Sequence, residues 1–221
     1  MISTGNDIVA LKAINIARSK EHAFYSKILS VSEKELYDQQ FAGEITFENF
    51  LWLSWSIKES AYKYLQRITP ELVFSPTKII IKHLLVPVGD TAIAFGDKET
   101  EGCGFVNKTV YEGIVEFGNH ALYSRSVIGA EFIASVVNKE ADFGNTCWGI
   151  QKIESKESNY QSKAVRTFLL NRLVRLLPDT DLHIGKSQNR YPILFNRSEE
   201  MPIPVSLAHH DHYVAYSFQL K

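Results

Sequence analysis

The sequence predicts an α+β fold: two similar α/β halves, each a small antiparallel sheet packed on a long helix, related by a pseudo-twofold. Two long stretches carry no Gly or Pro, residues 46–67 and 158–177, and read as helices. Short β-branched and apolar runs surround both and read as strands. A faint internal echo links the halves, because Lys-Glu-Ser-x-Tyr begins at both Lys58 and Lys156. At 221 residues the chain has ample length for a core, as one large domain or two small ones fused.

Taken in order, Ile8-Val9-Ala10-Leu11 follows Gly5-Asn6-Asp7 and reads as a buried strand with an acid at its mouth. On its own, an Asp beside a Gly is more often a turn residue than a ligand. Ser32 and Glu35 have capping-box spacing and predict a short helix starting there. Thr46 is the expected N-cap of the first long helix, and Pro70 lies just beyond its end. Residues 78–82 and 84–88 read as strands, and 89–108 as turns around a weak strand at 91–95, the expected junction between halves. Strands are expected at 109–117 and 121–127, and a short helix at 131–138.

The second long helix has Val165, Phe168, Leu169, Leu173, Leu176 and Leu177 on one face, leaves Arg166, Arg172 and Arg175 polar, and stops at Pro178. Residues 182–184 and 191–195 read as strands flanking Ser187-Gln188-Asn189-Arg190. Residues 204–209 and 213–218 form a hairpin with His209-His210-Asp211-His212 at its tip.

Composition excludes several classes. Hydrophobic residues make up 45% and charged residues 22%, ordinary for a globular protein. The net charge of -1 gives no reason to expect nucleic acid, so any anion site must be a local cluster. No run approaches the length of a membrane span, and the first residues lack the basic and apolar regions of a signal peptide; no membrane association and a cytoplasmic location are expected. Cys103 and Cys147 are too few and too far apart for a disulfide framework or a cysteine zinc site, and are expected as reduced thiols. The P-loop, the dinucleotide glycine fingerprint and the G-x-S-x-G elbow are absent. The histidine-rich tip lacks a distant Cys or His at familiar spacing, and adjacent strand residues point to opposite faces, so zinc is disfavoured.

At helical spacing Trp52, Trp55, Glu59, Lys63 and Gln66 share one stripe, framing a carboxylate between aromatics and a lysine. The bland reading is an (i, i+4) surface pair worth about 0.2–0.5 kcal/mol. Three segments together go further: Gly5-Asn6-Asp7-Ile8-Val9, Trp55-Ser56-Ile57-Lys58-Glu59-Ser60-Ala61-Tyr62-Lys63 and Val205-Ser206-Leu207-Ala208-His209. In combination they resemble the G-x-D strand, W-x-x-K-E-[SA]-x-x-K helix and S-L-[ST]-H-like strand of the 4′-phosphopantetheinyl transferase superfamily. Residues 24–35 are similar to the family's F-x-x-R-[IV]-L-[ST]-x-x-E region, and Asn189-Arg190-Tyr191-Pro192 stands where many members have a G-K-P turn.

The resemblance implies transfer of the phosphopantetheine arm of coenzyme A to a serine of an acyl or peptidyl carrier protein, releasing 3′,5′-ADP. Asp7 and Glu59 would hold Mg²⁺, and Glu59 would accept the serine proton. Lys63 and Lys58 would face phosphates, and His209 would hold a coenzyme A phosphate from the opposite wall. Val9 stands where many two-half members carry a second acid, as in the short holo-acyl-carrier-protein-synthase type. Ala208 replaces a hydroxyl, and Tyr191 replaces the G-K-P lysine, so Arg190 would substitute. The implied arrangement is a monomeric pseudo-dimer, residues 1–106 holding the metal and residues 107–221 completing the coenzyme A cleft. The competing readings are a catalytically degenerate relative that binds coenzyme A or a carrier without turnover, and an unrelated interaction protein with Glu59–Lys63 as surface decoration.

Overall fold

The computed structural model describes residues 3–88, 98–105 and 109–220. Mixed helix and strand are present throughout, as an α+β reading requires. The chain opens with β1 (Gly5–Ala10), buried at every position, and the short helices α1 (Ile16–Ser19) and α2 (His22–Tyr25). Next comes α3 (Val31–Leu36), capped by Ser30 and Glu33 rather than by Ser32 and Glu35. Both pairs have the same spacing. Tertiary context chooses the first, because Glu33 is also reached by Lys58 and by the Ile81 N–H.

The first long helix, α4 (Phe47–Gln66), starts where expected, with Thr46 Oγ1 accepting from the Asn49 N–H. After it come β2 (Ile80–Leu85) and β3 (Glu99–Cys103). Residues 80–85 form one strand, where two were expected, with a register shift between Ile81 and His83. The strand expected at 91–95 lies outside the described residues.

The sequence continues through β4 (Tyr111–Phe117), β5 (His120–Ile128), β6 (Phe132–Asn138) and β7 (Thr146–Lys152). The helix expected at 131–138 is therefore a strand. Its seven residues are all buried and paired on both edges, an environment that favours Ile133, Val136 and Val137 as strand formers. Strand β7 was not anticipated. The second long helix, α5 (Ser158–Leu176), then precedes β8 (Leu182–Lys186), β9 (Pro192–Asn196), β10 (Glu199–Glu200), β11 (Val205–His210) and β12 (Tyr213–Gln219).

The strands assemble as β1-β6-β5-β4-β2, β11-β12-β7-β3 and a small β10-β9-β8 sheet, all pairings antiparallel. Helix α4 covers the outer face of the first large sheet through Phe50, Leu53, Ile57 and Ala61. Helix α5 covers the second through Val165, Phe168, Leu169 and Leu173. Between the sheets a third apolar layer joins Ile8, Ala10, Phe132 and Ala134 to Ala208, Tyr213 and Ala215. The order is therefore helix, sheet, sheet, helix, with β1 against β11.

The expected halves exchange strands. Residues 111–138 complete the sheet that contains β1 and β2, while β3 forms the edge of the second sheet. The two Lys-Glu-Ser copies are not equivalent either: Lys58-Glu59-Ser60 lies inside α4, whereas Glu157 is the N-cap of α5.

Cys103 and Cys147 are joined in a disulfide, which corrects the expectation of reduced thiols. Antiparallel pairing of β3 with β7 sets them directly opposite one another despite 44 residues of separation. Among the described residues no helix is long and apolar enough to cross a membrane.

Candidate active site

Gly5 brings the two acid-bearing elements together. A Cβ at this position would lie 1.9 Å from the carbonyl oxygen of Ser60 and 2.8 Å from the Tyr64 nitrogen, both backbone atoms of α4. Only glycine lets β1 approach the helix so closely. Two residues along β1 stands Asp7, and next to Ser60 stands Glu59, so one backbone contact fixes their mutual placement. Gly5→Ala is expected to lower stability by about 3 kcal/mol or more, since two backbones must part. Thermal melts followed by circular dichroism check it; an unchanged melting temperature would show that the close approach is dispensable.

Asp7 and Glu59, far apart along the chain, converge on one cation. Lys63 Nζ lies 3.2 Å from Asp7 Oδ1 and 3.3 Å from Glu59 Oε1, and it also donates to the Asn6 carbonyl at 3.0 Å. Burial works against the Lys63 charge, but the two carboxylates outweigh it and hold Lys63 above the ordinary lysine range. Burial is also the largest influence on Asp7, with Lys63 pulling the other way and Glu59 adding to the rise, so its carboxyl is pushed up to about 7. Both acids open onto a cleft of about 430 Å³ lined also by Trp52, Trp55, Phe24, Arg18, His209 and His210. The aromatic end of the α4 stripe thus forms one wall, with Trp52 donating to Ser19 Oγ at 3.0 Å.

His209 enters from the opposite sheet, on the β11 face shared with Val205 and Leu207. Burial lowers its pKa first, Lys63 and Arg166 lower it further, and Glu59 opposes them. Arg166, on α5, was read from the sequence only as a polar-face residue; nothing in helical periodicity reveals that this face turns toward His209. The histidines of the tip do not converge. His210 Nδ1 accepts from Ala10 N–H, and His212 Nδ1 lies 3.1 Å from the Ile153 carbonyl.

Two expected cofactor contacts are placed elsewhere. Lys58 does not face the cleft, which corrects its assignment to phosphate. Its side chain is 0% exposed and donates at 2.6 Å to both Glu33 Oε2 and the Ile28 carbonyl. One residue along a helix is about 100° around it, so Lys58 and Glu59 look in different directions. Arg190 occupies a left-handed turn position, φ 66°, between β8 and β9, and does not line the cleft. In this region Arg67 packs on the adjoining turn: its guanidinium lies 4.8 Å over the Tyr191 ring and donates to the Pro192 and Val205 carbonyls.

The donor set suits a hard divalent cation held by two carboxylates and completed by water or substrate oxygens. Asp7 Oδ2 is buried without a hydrogen-bond partner, an acceptor left over for such an ion. Among the described residues no three His, Cys, Asp or Glu side chains cluster as a protein-only metal cage.

No curated protein and no solved structure matches the chain. The family model of the 4′-phosphopantetheinyl transferase superfamily matches residues 3–104, the stretch that carries Asp7, Glu59 and Lys63.

Proposed function

We propose that the protein transfers the 4′-phosphopantetheine group of coenzyme A to a serine of an acyl or peptidyl carrier protein, with release of 3′,5′-ADP. The superfamily match supports a transferase; the holo-acyl-carrier-protein-synthase type, the carrier acceptor and the metal are our own reading. The observation that carries it is the convergence of Asp7 and Glu59 on Lys63, with both carboxylates lining an open cleft.

Asp7 and Glu59 would hold Mg²⁺, which when bound supplies charge neutralisation on the diphosphate oxygens. Glu59, at the cleft surface, takes the proton of the incoming serine hydroxyl. The hydroxyl oxygen forms the new bond to the β-phosphorus, and the bond from that phosphorus to the bridging oxygen breaks, leaving both remaining phosphates on the departing 3′,5′-ADP. Lys63 offers a point charge to the phosphates once the acids are otherwise engaged. His209, backed by Arg166, holds a coenzyme A phosphate from the second sheet. Ala208 does not line the cleft, so the missing hydroxyl removes no group from its wall.

We keep the two-half organisation as part of this reading. Each large sheet carries one long helix on its outer face, and the second supplies the wall that an adjoining subunit would otherwise provide, so the protein acts as a monomer.

The test is a transfer assay with apo carrier protein, coenzyme A and Mg²⁺, read by intact mass. The expected outcome is a carrier heavier by one phosphopantetheine, abolished by chelator and restored by Mg²⁺. Coenzyme A binding without that added mass, across acyl and peptidyl carriers, would instead identify a catalytically degenerate relative.

A further inference from the structure

Among the described residues strand β1 is an edge strand, paired in a ladder with β6 alone. Its other edge is closed not by another ladder but by side chains of β11. Ser206 Oγ accepts from the Asn6 N–H at 3.0 Å, and His210 Nδ1 accepts from the Ala10 N–H at 3.0 Å. Ser206, Ala208 and His210 share one face of β11, so the two acceptors flank an alanine that offers none. Two outward N–H groups on this edge of β1, those of Asn6 and Ala10, are thus satisfied across the sheets.

A ring nitrogen that accepts an N–H carries no proton of its own. His210 is therefore the neutral imidazole with its single hydrogen on Nε2. The same side chain lines the cleft beside Asp7, Glu59 and His209. The strand that bears Asp7 is held to the strand that bears His209 by this bond at one end and by Ser206 at the other.

We propose that His210 is a positioning residue, an imidazole clasp that fixes the distance across the cleft between the Asp7 strand and the His209 strand. This rests on the transferase reading for its effect on turnover, though the clasp itself is a property of the fold. Loss of the clasp lets β1 and β11 shift relative to each other. A displacement of about 1 Å at the reacting centre can lower turnover about a hundredfold.

The experiment compares wild type, His210→Ala and His210→Asn in the transfer assay, with ¹⁵N spectra of the histidine rings in the unliganded protein. Asparagine places Oδ1 near the Nδ1 position and keeps an acceptor for Ala10. Alanine is expected to lower kcat tenfold to a hundredfold with a smaller change in KM, and asparagine to recover most of the loss. The spectra are expected to give the Nε2–H tautomer for His210 in wild type. An alanine variant with wild-type kcat and KM, an asparagine variant no better than alanine, or an Nδ1–H ring would each overturn the proposal. A wild-type protein without turnover would refute the transferase reading instead; the tautomer would then decide the clasp alone, Nε2–H supporting it and Nδ1–H overturning it.

Discussion

Lys58→Ala is expected to destabilise the fold by about 3–5 kcal/mol, the range for removing one partner of a buried ion pair. Neither Lys58 nor Glu33 exposes its side chain, and Glu33 gathers the Ser30 N–H, the Ser30 hydroxyl, the Ile81 N–H and the Lys58 ammonium. Removing the lysine leaves a desolvated carboxylate with only neutral donors. Burial already holds the Lys58 pKa below the ordinary lysine value, with Glu33 opposing that shift, so each charge depends on the other. Urea unfolding followed by fluorescence measures the loss, and the double variant Lys58→Met with Glu33→Gln should regain most of it. A single variant that loses under 1 kcal/mol would show that the pair is dispensable. At temperatures where Lys58→Ala remains folded, its KM for coenzyme A should match wild type, because the side chain is remote from the cleft.

The opposite pattern is expected at the acids. Asp7→Asn and Glu59→Gln should each lower transfer by about 10²–10³, the scale of losing one preorganised electrostatic contact, while leaving the fold intact. Both substitutions conserve shape. Glu59 is partly exposed at the cleft, so its replacement disturbs little packing. Asp7 is buried and its carboxyl is pushed up to about 7, mainly by that burial, so an amide there removes a desolvation penalty. Mass-detected transfer alongside thermal melts separates the two effects. Near-normal turnover in both variants would dismiss the shared cation as the centre of the reaction.

The acids were expected from the resemblance that three distant segments carry together, since singly each favoured a turn residue or a surface pair. A glycine two places before an aspartate and a helical stripe containing Glu59 and Lys63 each survive translation into structure, as do Thr46 as cap and both long helices. What escaped was decided by tertiary partners. Lys58 and Glu59 are neighbours in sequence, and only the position of α3 determines that one meets Glu33 and the other the cleft. Ser30 and Ser32 offered equal capping boxes until Ile81 and Lys58 selected Glu33. Residues 132–138 are too short an apolar run for periodicity to separate helix from strand, and two flanking strands settled it. His210 and Arg166 became visible only once β11 lay beside β1 and α5.

The interlaced strands have a consequence for anyone dissecting this protein. Residues 1–106 and 107–221 made separately would leave β1 and β2 without the three strands they flank, and β3 without β7, with raw hydrogen-bonding edges on each piece. Neither piece would be a domain in the sense of folding unaided. In the intact protein the Cys103–Cys147 disulfide would keep the two pieces covalently joined after a cut between residues 106 and 107, so cleavage at that point and separate synthesis are different experiments.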